Sequence, residues 1–385
     1  MINKFSFTGA KKIVFGRGSF SALPVHIGEL GGRRPLIVMD KNLAREGLKE
    51  NVASILGECG IKYHLFDRVE SEPVLELAEE GAKAAVKGKC DCVVGIGGGS
   101  ALDCAKAVAV LAPNNGRAKE YLGLNKVPGP GLPKIMVPTT AGTGSEVTFT
   151  AVFVRKDLKK KEGMNSPFLY PEIALLDPLL TASLPPGPTA TTGIDALCHA
   201  IESYTSINAS PVSEIFSLEA IRLIAENLRT CVHNGKELDA REAMLLGSLY
   251  AGLGLANAGV TAVHSLSYPL GGQFGIPHGL ANTLLLLPVM EFNLPGALEK
   301  FAVIAEVMGE VVEGLSDRDA ACLALDAVES LIADCGIETG LETMGIAEVD
   351  FPALADVAMT VARPLENNPR KVTKEDAIKI YTQAF

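Results

Sequence analysis

Four side chains of metal-ligating type fall in two short stretches of the chain. In TTGIDALCHAIE (191–202), Asp195 and His199 stand four residues apart in a helical pattern, so both side chains leave one face. In AVHSLSYPLGGQFGIPHGLAN (262–282), His264 and His278 flank a glycine-containing connection that could fold back. The chain has six histidines, and three of them lie in these two stretches. Taken alone, an Asp/His pair at this spacing is more often a surface pair. One carboxylate with three imidazoles is a different matter, because that set suits a divalent transition metal and leaves positions open for a substrate oxygen. His26, His64 and His233 lack such company and read as surface or packing residues.

A second kind of chemistry is suggested by two small-residue loops. GIGGGSALDCAK (95–106) ends a strand and opens a helix, and Gly97, Gly98 and Gly99 remove every Cβ at the turn. Their amides, with Ser100, can converge on an anion at the positive end of the helix. The spacing is neither GxGxxG nor a Walker loop, and a tight turn with no ligand is the competing reading. VPTTAGTGSEVT (137–148) packs five hydroxyl side chains and two glycines into twelve residues straight after a strand. Such a loop offers donors without bulk to a pyrophosphate or a nicotinamide amide, although Ser/Thr-rich loops also serve as caps and turns. Asp40 closes the strand PLIVMD. There a carboxylate can hydrogen-bond an adenosine ribose and repel a 2′-phosphate, or it can be an ordinary turn aspartate.

The elements that must position these residues change character midway. KIVFG (12–16), PLIVMD (35–40), IKYHLF (61–66), DCVVGIGGG (91–99), KIMVPTT (134–140) and EIALLD (172–177) read as strands. Between them SALPVHIGELG, LAREGLKENVASILGECG and VLELAEEGAKAAVKGK carry apolar residues at helical spacing. Strands apolar on nearly every residue, alternating with helices, predict a parallel sheet covered on both faces. After SLPPGP (183–188) β-branched runs become scarce and long helical patterns dominate. The expected division is an α/β domain over 1–185 and an all-helical domain over 186–385.

Composition bounds the partners. The net charge of −10 and the lack of a long basic block argue against nucleic acid. Glycine, at 39 of 385 residues, exceeds the usual share of roughly 7% and points to many tight turns. The eight cysteines form no zinc-ribbon pattern and read as reduced thiols of a cytoplasmic protein, with Cys90 and Cys92 sharing one strand face. MINKFSFTGAKKIVFG lacks an apolar stretch of signal-peptide length, and TLLLLPVM (283–290) is too short to span a membrane. No membrane partner is expected.

Together GGGSALDCAK, PTTAGTGSEVT, GIDALCHAIESY and HSLSYPLGG with PHGLAN resemble the iron-dependent (group III) alcohol dehydrogenases, in order and spacing over almost the whole chain. The resemblance implies a Rossmann-like, dinucleotide-binding amino-terminal domain, a helical, metal-binding carboxyl-terminal domain, and hydride transfer between NAD and a small alcohol, aldehyde or hydroxyacid. It implies Asp195, His199, His264 and His278 as ligands of Fe2+, a set that would also accept Zn2+. It places Gly97, Gly98, Gly99 and Ser100 at the pyrophosphate, and Thr139, Thr140, Thr143, Thr148, Lys161 and Leu180 on the cofactor side. Asp40 fits members that prefer NAD. A homo-oligomer, dimer or higher, is the expected assembly. Many members carry HxxxH after the third ligand. This chain has Tyr268 at the second position, which becomes the candidate for a part in catalysis and leaves the proton route and substrate open. Subgroups with SYPLGG include hydroxyacid dehydrogenases and a hydroxyacid–oxoacid transhydrogenase. Polyol-phosphate dehydrogenases and dehydroquinate-synthase-like zinc lyases share a related fold and would need basic residues near the substrate. A metal- or nucleotide-binding protein without activity is the remaining alternative.

Overall fold

A computed structural model of the chain describes residues 4–42, 47–155, 157–158 and 160–385. The strands are β1 (Lys12–Phe15), β2 (Pro35–Asp40), β3 (His64–Val69), β4 (Cys92–Gly97), β5 (Gly123–Leu124), β6 (Lys134–Pro138), β7 (Thr150–Arg155), β8 (Lys160–Asn165) and β9 (Ile173–Leu176). Among them run helices α1 (Leu23–Glu29), α2 (Leu48–Glu58), α3 (Leu75–Lys87) and α4 (Gly99–Leu111). The first four residues of the helical stretch expected over 43–60 lie outside the described residues.

Six strands form a parallel sheet in the order β1-β9-β6-β4-β2-β3. Side chains alternate across it, so successive residues of β2 feed two cores. Leu36 and Val38 join a cluster with Val93, Met136 and helix α4, while Ile37 and Met39 join one with Val94, Ile96, Val137 and Leu175. Each fully buried Val, Leu or Ile contributes about 1.5–3 kcal/mol relative to exposure, which explains the runs that are apolar on every residue. The chain leaves β2 for β3 on one side and returns to β4 on the other. Connectivity therefore reverses at the β2/β4 boundary, and it is outside the carboxyl ends of strands at such a reversal that open α/β sheets bind ligands.

Three sequence expectations shift. The third strand lies at 64–69 rather than 61–66, because β3 is an edge strand in which only Phe66 and Val69 are buried and polar residues stand between them. A hairpin, β7 with β8, joins β5 in a second, three-stranded sheet that the apolar patterning does not reveal. Cys90 and Cys92 do not share a face. β4 begins at Cys92, so Cys90 precedes the pleat and packs with one core while Cys92 enters the other.

The rest of the chain is helical: α5 (Pro186–Thr205), α6 (Pro211–His233), α7 (Leu238–Ala258), α8 (Ala262–Phe274), α9 (His278–Asn293), α10 (Leu298–Val307), α11 (Asp317–Asp334), α12 (Phe351–Ala358), α13 (Ala362–Asn367) and α14 (Lys374–Gln383). α5 starts on Pro186 and Pro188, tolerated because first-turn amides need no helical partner. These helices enclose a core of their own, including Ile194, Leu197, Ile224, Leu266 and Leu285. The chain divides into two compact units, one over Gly9–Thr140 and Gly144–Ala182. The helical unit holds Ser183–Phe385, and also residues 4–8 and Ala141–Thr143. The chain passes from one unit to the other at 8/9, 140/141, 143/144 and 182/183. Among the described residues no single helix is long and apolar enough to cross a membrane.

Candidate active site

Helices α5, α8 and α9 bring four polar side chains together inside the helical core. Asp195 and His199 lie one turn apart on α5, His264 lies in the first turn of α8, and His278 opens α9. The connection between His264 and His278 is mostly helix, and a short turn around Gly275 (φ 71°) folds the chain back into α9. Gly279 allows the close approach of α9 to α5. A Cβ there would stand 2.6 Å from the Thr191 carbonyl oxygen and 3.4 Å from the Asp195 Cβ.

One donor atom from each of Asp195, His199, His264 and His278 lies within 4.8 Å of all the others. Asp195 Oδ1 is 3.7 Å from His199 Nε2 and 3.9 Å from His278 Nε2, and the Nε2 atoms of His199 and His264 are 3.0 Å apart. Ligands about 2.1 Å from a shared tetrahedral ion would be separated by roughly 3.4 Å, so the spacing suits one ion. The ring orientations agree. His199 Nδ1 faces the Gly142 carbonyl at 3.3 Å and His264 Nδ1 faces the Glu202 carboxylate, so each ring donates outward and turns an Nε2 lone pair inward. Two lone pairs and a carboxylate aimed at one point repel unless a cation lies among them. The donor set therefore fits a divalent metal.

Electrostatics point the same way. Burial works against the Asp195 charge, yet His199, His278, His264 and the Asn282 amide together hold its carboxyl below the ordinary value. Burial holds the His199 imidazole below its ordinary value, with nearby His264 adding to that effect against the pull of Asp195, which favours the neutral form a metal needs. Sequence reasoning missed three members of this cluster. Asn282 donates from Nδ2 to Asp195 Oδ1 at 2.7 Å, with its buried Oδ1 left unpartnered. Its signal was its place one helical turn after His278 in PHGLAN. Glu202 follows His199 by three residues on the same face of α5, a spacing visible in GIDALCHAIESY. Gly142, a backbone contributor, left no such trace. Tyr268 lies beside the cluster, its ring centroid 6.3 Å from that of His264 and 6.1 Å from that of His278.

The α/β unit gathers most of the remaining candidates at the carboxyl ends of β2, β4 and β6. Asp40 ends β2, where it accepts the Asn42 amide, and Gly97 ends the neighbouring β4 with φ +149°. A Cβ on Gly97 would meet the Ala101 Cβ at 2.7 Å and the Asp40 Cβ at 3.4 Å, so only glycine lets strand, helix and Asp40 converge. Gly98 is extended, and α4 starts at Gly99 with no side chain capping its first amides. Thr139 donates its amide to the Gly97 carbonyl at 3.0 Å, and a side chain at 98 would touch Thr140 at 3.4 Å. Ser100 accepts the Glu72 amide at 3.3 Å, and the Glu72 carboxylate pairs with buried Lys161 at 2.6 Å, which links these two candidates.

Three candidates sit apart from that loop cluster. Thr143 belongs to the helical unit. Leu180 packs against one core of the sheet. The Thr148 hydroxyl is held by Lys106, a fully buried ammonium that also reaches the Ser145 carbonyl at 3.0 Å and Asp103 at 3.1 Å. Beside it Glu146 is buried with Oε1 unpartnered, and burial pushes its carboxyl up to about 7 against the pull of its own backbone amide and Lys106.

Family models agree with this two-part organisation. Residues 10–178 match the model "Iron-containing alcohol dehydrogenase", and residues 189–385 match "Fe-containing alcohol dehydrogenase family, C-terminal". The chain belongs to the iron-containing alcohol dehydrogenase family. Within this family it is similar to the long-chain-alcohol dehydrogenase 1 of Geobacillus thermodenitrificans, 41% identical over 96% of this chain and 94% of that protein. A crystal structure of 1,3-propanediol oxidoreductase superposes with a TM-score of 0.96 at 39% identity, covering 100% of both chains. The sulfoacetaldehyde reductase of Bifidobacterium kashiwanohense, solved with NAD+, has a TM-score of 0.88 at 30% identity over 99% of each.

Proposed function

We propose that this chain is a metal-dependent, NAD-linked alcohol dehydrogenase and aldehyde reductase, with Asp195, His199, His264 and His278 holding iron(II). The observation that carries this reading is the convergence of one carboxylate and inward-facing imidazole nitrogens on a single point. When bound, the metal supplies Lewis acidity that eases loss of the alcohol proton, and NAD accepts the hydride. The chain's own residues do the rest. The Gly142 carbonyl and the Glu202 carboxylate orient two of the imidazoles. Gly97, Gly98, Gly99 and Ser100 offer backbone and hydroxyl donors to the pyrophosphate, with Thr139, Thr140 and Lys161 beside them. Asp40 binds the adenosine ribose and disfavours a 2′-phosphate. Tyr268 shapes the substrate side of the metal centre with its ring and hydroxyl.

The relatives act on long-chain alcohols, 1,3-propanediol and sulfoacetaldehyde by name, which supports a small alcohol or aldehyde over a sugar-ring lyase reaction. Eight free cysteines support a reducing cytoplasm, and a homo-oligomer is the proposed assembly. The test is NADH consumption by iron-reconstituted protein across aldehydes, ketones and oxoacids, alongside metal content of His264→Ala and His278→Ala. Turnover of an aldehyde is expected, with most of the metal and activity lost in both folded variants. Stoichiometric metal in both variants would sink the ligand assignment, and inactivity with every carbonyl compound would sink the reaction.

A further inference from the structure

We propose that Glu202 is a positioning residue that fixes the proton of His264 on Nδ1 and thereby sets the metal affinity of the centre. The inference rests on the ligand assignment above and extends it to a residue that is not itself a ligand. Glu202 lies on α5 at 2% exposure, and both of its oxygens are engaged. Oε1 accepts three hydrogen bonds: from the Thr261 amide at 3.0 Å, the Thr261 hydroxyl at 2.8 Å and the Val263 amide at 2.9 Å. Oε2 accepts from His264 Nδ1. The donors to Oε1 belong to the start of α8, directly before His264, where no side chain of α8 itself caps the helix. Glu202 thus caps α8 with one oxygen and grips the imidazole of the same helix with the other. Its charge also sits at the positive end of α8, where a helix favours an anion.

The consequence follows from what each group can donate. An ionised carboxylate only accepts, so the His264 proton must lie on Nδ1 and Nε2 must carry a lone pair. That Nε2 is the atom facing His199 Nε2 at 3.0 Å. A glutamine of the same shape would behave differently. Its oxygen would stay with the amides of Thr261 and Val263, and its NH2 would then face Nδ1. Nδ1 would have to accept, which moves the ring proton to Nε2 and blocks the ligand atom. Replacing the acceptor of a ligand imidazole commonly lowers metal affinity by about 10–100-fold. Cys198, with Sγ 3.8 Å from Oε2, is a weak donor and leaves this assignment unchanged.

The experiment compares zinc-loaded wild type with Glu202→Gln. Chelator competition should show zinc bound about 10–100-fold more weakly by the variant, while its metal-saturated form still melts cooperatively. In zinc-loaded wild type with 15N-labelled histidine, one nitrogen-coupled proton should resonate well downfield of the other imidazole N–H signals. It should vanish in the variant, a signature that a purely packing role for Glu202 would not produce. A folded Glu202→Gln that binds zinc within twofold of wild type overturns the proposal. Should the variant not fold, the wild-type spectrum decides, and absence of the downfield proton overturns it. Wild type that binds no zinc at these histidines removes the ligand reading and this inference together, whereas tight wild-type binding matched by the variant removes this inference alone.

Discussion

At the scale of single residues, the four proposed ligands are types that chemistry singles out, whereas their neighbours are chosen by position. Tyr268 is the clearest case. A phenol offers a hydroxyl and a ring, and the proposed role of Tyr268 is to place both near the substrate. Tyr268→Phe keeps the ring that lies 6.1 Å from His278 and removes only the hydroxyl. A positional role gives roughly a tenfold loss in kcat/KM, about 1.4 kcal/mol of transition-state stabilisation. Unchanged kcat/KM across the carbonyl panel would leave Tyr268 with packing alone. The role proposed for Asp40 rests on charge. Wild type should prefer NADH over NADPH, and Asp40→Gly should narrow that preference as the repulsion of a 2′-phosphate disappears. Better use of NADPH by wild type would contradict this role.

Elements decide whether those residues meet, and here small residues matter more than large ones. Gly279 lies in the first turn of α9, beside Thr191 and Asp195 of α5. Alanine at 279 would gain up to about 1 kcal/mol of helix propensity. Its Cβ would nevertheless stand 2.6 Å from a backbone oxygen that cannot swing aside, and overpacking costs about 1–3 kcal/mol. The clash should win. Gly279→Ala is expected to melt several degrees lower and to bind zinc less tightly, because His278 is the residue next to it. Equal melting temperature and affinity would show that α9 shifts without cost. Such close approaches explain what was legible in the sequence. The parallel sheet could be read because strands buried on both faces must be apolar throughout, and the four side chains that converge were singled out because Asp and His at helical spacing stand out. The bounds of the edge strand β3 and the presence of the hairpin of β7 and β8 could not, since their patterns mix polar and apolar residues. Gly142 was invisible as a partner of His199, because a carbonyl oxygen carries no residue type.

For the molecule as a whole, stability should vary with pH through a charge buried far from the ligand cluster in sequence. Glu146 is raised from 4.5 to about 7 in the folded chain, so folding favours its protonated form. Between these values the folded state holds a proton that the unfolded chain releases. The stabilisation is full below about pH 4.5 and is lost as pH rises through about 7, a change on the order of 3 kcal/mol. Glu146→Gln, neutral throughout, should lack it, so the gap in melting temperature between wild type and variant should move against wild type over that window. A constant gap would show that Glu146 does not titrate there. The return of the chain at Ala141–Thr143 and at its start into the helical unit bears on how this protein can be cut and recombined. A fragment beginning at Ser183 would look complete by its helices, yet it would lack Phe7, stacked 5.4 Å from Phe216, and the Thr8 backbone that pairs with Asn257. It would also lack the Gly142 oxygen that orients His199. A chimera joined at that point would inherit the four proposed ligands from one parent and the group steering His199 from the other. Exchanging metal centres between relatives therefore requires transplanting discontinuous stretches of gene.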